Sequence, residues 1–297
     1  MIKIKLSFLL IIFLAINSFN VFSQDTLSHN LLWEITGNGL KSKSYLFGTI
    51  HVIPKEDFFY PKNTEEVLKQ SESIFFEVDM DKMNDMTTMF SVLDKIMMND
   101  DMKLQDLLSE SEYNVIKEYF NETGLPMMVI DRFKPMISQV LADPSIQASS
   151  MKNGDIKSYE MELMELAKSD KKKIGGLETI EFQLSIFDSI PYIDQAKYLY
   201  QTIASANTGQ DELKKLVEIY KSQNLNLLGK AINEDENGLN SFLDILLNER
   251  NKKWIPIIEK NMKINSCFFA VGAGHLVGDK GLINLLRRNS YTVNPVN

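Results

Sequence analysis

Two apolar runs at opposite ends of the chain finish in the same way, and this repetition constrains the fold more than any other feature. Tyr45-Leu46-Phe47 runs into Gly48-Thr49-Ile50-His51, and Phe268-Phe269-Ala270-Val271 runs into Gly272-Ala273-Gly274-His275. Short runs rich in aromatic and β-branched residues and closed by glycine read as buried strands. Two further runs finish in an acid. Ser73-Ile74-Phe75-Phe76 leads into Glu77-Val78-Asp79, and Lys173-Ile174-Gly175-Gly176-Leu177 leads into Glu178. If the four strands are parallel, their ends open on one edge of the sheet, where open α/β sheets bind ligands. Two histidines and two glutamates remote in sequence then converge.

Six strands are expected, at residues 31–36, 43–50, 73–79, 173–178, 267–273 and 291–296. Gly37-Asn38-Gly39-Leu40 between the first two tolerates positive φ and predicts a hairpin. Elsewhere the period is helical. Leu213, Leu216, Val217 and Tyr220 form one stripe, and Ile156, Tyr159, Leu163 and Leu166 form another. Ser109-Glu110-Ser111-Glu112 has the form of a capping box, and Gly124 suits the left-handed position that stops that helix. Residues 180–263 read as helical, interrupted near Pro256. The fold class is therefore α/β, with a central mixed sheet flanked by helices and a large helical insertion, in one domain over residues 24–297.

Composition narrows the chemistry. The 297 residues include three histidines and one cysteine, which excludes a disulfide framework and a cysteine-rich metal site. Cys267 reads as a small buried hydrophobe. Any metal must be held by His and carboxylates. With 32 basic and 40 acidic residues and no basic tract beyond Lys171-Lys172-Lys173, the chain offers no footprint for nucleic acid. Lys3 and Lys5, the apolar run 6–16 and the small residues leading to Ser23 form a secretory signal peptide over residues 1–23. That run is too short to span a bilayer, and its removal takes two lysines and no acid, so the exported remainder is more acidic still.

Each candidate has a structural alternative. Buried Glu77 needs a cation, which a metal or an arginine can supply. Arg250, in Glu249-Arg250-Asn251, can steady an oxyanion or pair with Glu77 or Glu178. His29 reads as an exposed residue of the amino-terminal tail. Gly48, Gly272 and Gly274 allow close approach and positive φ at the strand-to-loop turns. Gly272, Gly274 and Gly278 fail the dinucleotide fingerprint, because the third glycine is one residue late and too little chain follows. The methionines between residues 80 and 102, without His or Cys beside them, read as core packing or as an adaptable flap over a peptide or lipid-like ligand.

Taken in order, Gly48-Thr49-Ile50-His51, Phe76-Glu77-Val78-Asp79, Gly176-Leu177-Glu178-Thr179, Glu249-Arg250-Asn251 and Gly272-Ala273-Gly274-His275 resemble the TraB/GumN/Tiki superfamily. Lys134-Pro135 and the closing strand extend the likeness over nearly the whole exported chain. Members resembling Tiki are metal-dependent proteases, and more distant relatives include erythromycin esterases and haem-binding ChaN-like lipoproteins. The chain departs from the pattern at Glu160, where many members carry Asp, at Gln223-Asn224 and at Ser290.

The resemblance implies a periplasmic or secreted metal-dependent hydrolase acting on a peptide or protein. His51, Glu77 and His275 would hold a divalent ion, manganese, cobalt or zinc. Glu178 would move the proton of the attacking water, with Arg250 and Asn251 completing the catalytic set. Two other readings fit the same residues. One is a metal-independent, esterase-type hydrolase using His51 as base. The other is an exported binding or accessory protein without turnover.

Overall fold

The computed structural model describes residues 29–79, 86–142, 154–234 and 242–297. Residues 1–23, expected to form a signal peptide, and Met80 and Met83 lie outside them. Among the described residues, eight strands run in chain order: β1 (Leu32–Gly37), β2 (Ser44–Thr49), β3 (Val52–Pro54), β4 (Ser73–Val78), β5 (Ile156–Ser158), β6 (Lys173–Glu178), β7 (Cys267–Gly272) and β8 (Tyr291–Pro295). Six of them form one sheet in the order β6-β4-β7-β2-β1-β8. The pairs β6/β4, β4/β7 and β7/β2 are parallel, whereas β1 is antiparallel to both β2 and β8. The result is the expected α/β class, with a central mixed sheet flanked by helices.

The six sheet strands are the six apolar runs because those residues fill the core. Trp33, Phe47, Phe268, Phe269 and Trp254 are almost wholly buried, and helices pack on them through residues such as Tyr159, Val217 and Tyr220. Gly37, Asn38 and Gly39 all take positive φ in the β1–β2 hairpin. A second apolar cluster is separate, and its buried residues all lie on helices. Leu104, Ile116, Phe120 and Ile130 meet Leu199 and Ile203 of the helix Tyr192–Ala204. The capping box is present, with Ser109 N–H donating to Glu112 Oε2 at 2.9 Å and Gly124 at φ +77° as the C-cap.

Two expectations are corrected. Pro256 does not interrupt its helix, which runs unbroken over Glu249–Met262. Both Pro256 and Lys252, whose carbonyl loses its partner, are exposed, so water can take up that bond. The chain instead breaks near Pro191, Ser205 and Gln223. Nor is Ile156 helical. It belongs to β5, and the helix Tyr159–Ser169 begins only after Ser158, whose Oγ accepts from Met161 N.

The short strands β3 and β5 pair with each other away from the main sheet, in the register Val52↔Ser158. This ribbon bends the chain back directly after β2. His51 is therefore held next to the start of the helix that follows β5.

The methionine-rich segment divides. Met98 is buried, whereas Met86 and Met89 lie with Phe90 and Leu93 on an exposed face of the helix Met86–Ile96. His29 is exposed, as expected, but it is pinned: it forms a β-bridge with Asn224, and its Nε2 lies 3.1 Å from Asn224 Nδ2.

Candidate functional site at the carboxyl edge of the sheet

Strand β7 lies between β4 and β2, and neighbouring strands stand about 4.8 Å apart. The end of β7 at Gly272 is therefore flanked by Glu77 from one neighbour and by the Thr49–His51 turn from the other. A methyl group placed on Gly272 would lie 3.3 Å from Glu77 Oε1, 3.8 Å from His275 Cδ2 and 3.9 Å from His51 Nε2. Three side chains from three strand ends thus surround one point.

The glycines act by close approach rather than by positive φ. None of Gly48, Gly272 and Gly274 has positive φ. A side chain on Gly48 would meet the backbone of Ala273 at 3.1 Å, and one on Gly274 would meet Ile232 at 3.2 Å. The two strand ends can therefore pack directly against each other.

Arg250 organises the acids. It is buried in the first turn of the helix Glu249–Met262, and all five of its N–H groups are engaged. Nη2 donates to Glu77 Oε2 and Glu178 Oε1, each at 2.6 Å. Nε donates to Glu178, and Nη1 donates to Leu246 O and to His275 Nε2. Of the two roles expected for Arg250, pairing with the acids is the one this geometry displays.

Glu178 is similarly saturated. Its side chain is 3% exposed and accepts from Arg250 Nε and Nη2, Trp254 Nε1 and Gln183 Nε2. A carboxylate with its lone pairs so committed suits a fixed counter-charge better than a proton carrier. Gln183 also donates to Glu77 Oε2 at 3.3 Å, linking the two acids.

His275 has a defined tautomer. Asn251 Nδ2 donates to the carbonyls of His275 and Lys280, which turns Asn251 Oδ1 toward His275 Nδ1 at 2.7 Å. Nδ1 therefore carries the proton, and the Nε2 lone pair points at Arg250 Nη1 and lies 3.6 Å from Glu77 Oε1. Burial lowers the His275 imidazole to about 3, against the pull of Glu77 and with help from Arg250. For Glu77, burial pushes the other way. The facing His275, Arg250 and His51 and the Gly272 N–H outweigh it and hold the carboxyl at about 2.

His51 differs from its counterpart. Its side chain is 68% exposed, and its Nδ1 lies 3.2 Å from Glu160 Oε1. That hydrogen bond, with the charges of Glu160 and Glu77, raises the imidazole to about 9, although water screens the pair. The sequence singled out neither Gln183 nor any role for Glu160 on His51. The signals were present but weak: Gln183 follows the helix cap Thr179, and Glu160 follows the cap Ser158.

Acid weakens the network. Folded His275 titrates near 3 against 6.5 when unfolded, so the unfolded chain binds the extra proton and stability falls as pH drops below 6.5. Glu77 adds a second loss between 4.5 and about 2. His51 has the opposite sign: its contribution is present below 6.5 and fades as pH rises through about 9. Urea unfolding of the metal-free protein should lose about 2–3 kcal/mol from His275 between pH 6.5 and 4.5. His275→Gln should flatten that interval, and equal slopes in both proteins would contradict the assignment.

A cavity of about 270 Å³ adjoins Arg250, walled by Phe182, Ser185, Ile186, Ser189, Ile245, Glu249 and Lys253. Among the described residues, no helix is long and apolar enough to cross a membrane.

Known proteins are similar to this chain over most of its length. It is 26% identical to metalloprotease TIKI2 of Xenopus tropicalis over 91% of this chain and 60% of that protein. It is 25% identical to human metalloprotease TIKI1 over 89% of this chain and 61% of that protein, and 23% identical to the Danio rerio TIKI1 over 89% and 63%. The chain thus spans about three fifths of the length of the curated relatives it matches. No solved structure matches it. The sequence profile of the TraB/PrgY/gumN family matches residues 31–295, a span that holds both Gly-x-x-His turns and every strand of the sheet, and the chain belongs to that family.

Proposed function

We propose that the protein is an exported, metal-dependent hydrolase that cleaves peptide bonds in a peptide or protein substrate. The observation that carries this reading is the meeting of His51, Glu77 and His275 around Gly272, in a chain similar to named metalloproteases.

The donor set fits a divalent ion. Two imidazoles and one carboxylate suit zinc, manganese or cobalt, and Glu77 is already ionised while His275 is neutral with an open Nε2 lone pair. As they stand, however, no three His, Cys, Asp or Glu side chains among the described residues are drawn together tightly enough to enclose an ion. The Nε2 lone pair of His275 instead accepts from Arg250. Binding would use His51, Glu77 and His275, and a bound divalent ion would supply Lewis acidity and a more acidic water.

The protein's own residues do the rest. Asn251 keeps His275 in the Nδ1–H tautomer. Glu178 and Gln183 hold the guanidinium and Glu77 in register. Once His275 Nε2 has another partner, Arg250 Nη1 has one N–H free beside Glu77, placed to donate to a developing oxyanion. The cavity beside Arg250 has room for a substrate side chain, between apolar Phe182, Ile186 and Ile245 and polar Ser185, Ser189, Glu249 and Lys253.

A second reading rests on Arg250 itself. Because Arg250 gives both Glu77 and Glu178 a cationic partner, neither buried acid depends on a metal for one, which supports a metal-independent hydrolase using the exposed His51. Peptide-library hydrolysis before and after chelation separates the two. Activity lost with chelator and restored by added metal is the expected result. Activity that survives chelation supports the second reading, and no hydrolysis under any condition leaves a binding role.

A further inference from the structure

We infer that Glu160 is a positioning residue for His51: its carboxylate fixes which imidazole nitrogen faces Glu77 and thereby sets the site's affinity for a divalent cation. The inference rests on the metal-dependent reading above and goes beyond it, to a residue outside the three proposed ligands.

The geometry begins with the β3/β5 ribbon. Its register sets Val52 opposite Ser158, so His51, one residue earlier, lies against the first turn of the helix Tyr159–Ser169. Glu160 stands in that turn with 20% of its side chain exposed. Its Oε1 accepts from Thr49 Oγ1 at 3.0 Å and lies 3.2 Å from His51 Nδ1, while its Oε2 accepts from Ser158 Oγ at 3.0 Å. Thr49 is buried, and Ser158 caps the helix, so the carboxylate is anchored by two groups that are themselves fixed.

An acceptor-only carboxylate requires a proton on the nitrogen it meets. Nδ1 of His51 therefore donates to Glu160, and Nε2 is the atom left facing Glu77 and Gly272. Carboxylate–histidine–metal arrangements work in this way, fixing the tautomer and ring orientation and raising ligand basicity. His275 obtains the same tautomer from the neutral Asn251, so the two imidazoles are oriented by different chemistries. His51 is the one that needs a strong partner, because water reaches most of its ring and packing does not hold it.

The experiment titrates metal-free protein with cobalt(II) and follows its absorption, comparing wild type, Glu160→Gln and Glu160→Ala. Glutamine keeps an acceptor for His51 and Thr49 but removes the charge. It should weaken cobalt affinity about tenfold, and alanine about a hundredfold. Unchanged affinity in both variants would overturn the inference.

Nitrogen-15 spectra of the imidazoles give a readout that a purely structural role would not move, and three histidines make assignment simple. In the zinc-loaded protein, His51 should carry its proton on Nδ1, and a metal on Nδ1 would refute the inference. If wild type binds no cobalt or zinc, the metal reading fails by itself. The metal-free spectra then decide on Glu160: a changed His51 ring signal in Glu160→Gln supports the positioning role, and an unchanged one ends it.

Discussion

Replacing Arg250 by methionine should lower the unfolding free energy by about 3–5 kcal/mol at neutral pH, the usual cost of removing one partner from a buried ion pair. Methionine keeps much of the apolar stem, so the loss is mainly electrostatic. The guanidinium is 10% exposed between two carboxylates that are 12% and 3% exposed, and without it Glu77 and Glu178 lose the cation they share. The carboxylates can relieve this by taking up a proton. The deficit should therefore shrink as pH falls toward 5, whereas a simple packing defect would persist. The double variant Arg250→Met with Glu178→Gln should recover part of the loss. Denaturant unfolding of the three proteins at two pH values checks this, and a change below about 1 kcal/mol, typical of a surface pair, would contradict it.

Glu77→Gln should leave the fold nearly intact while removing function. Arg250 retains Glu178, and a glutamine oxygen can still accept from the Gly272 N–H. What disappears is the negative ligand among the three donors around Gly272. A metal-dependent rate derives several kcal/mol from the ion, so kcat/KM should fall by roughly a thousandfold or more, with a matching loss of bound metal. If metal content and rate both survive, Glu77 serves only as the counter-charge of Arg250.

How much of this was legible in the sequence depended on range. The sheet strands were readable because their apolar runs stop abruptly at glycine or an acid, as at Phe47-Gly48 and Phe76-Glu77, and six such runs became six paired strands. The capping box at Ser109 was equally clear, since its partners lie three residues apart. The β3/β5 ribbon was not visible. Three-residue strands carry too little period, and their pairing joins residues about a hundred positions apart. For the same reason Ile156 looked like the first residue of a helical stripe. The residue types of the site could be named, but not their contacts. Nothing local in Glu249-Arg250-Asn251 reveals that Arg250 turns to two acids while its neighbour Asn251 turns to His275. Glu160 drew notice only as a departure from a family pattern, because its meaning lies in where the ribbon places His51.

The central claim is that His51, Glu77 and His275 share one divalent ion. X-ray absorption of the protein loaded with one equivalent of zinc tests it most directly. The expected spectrum shows two imidazole nitrogens and carboxylate oxygen at about 2.0–2.2 Å, with His275→Ala losing one imidazole from the shell. A shell without histidine, or one that His275→Ala leaves unchanged, would contradict the claim.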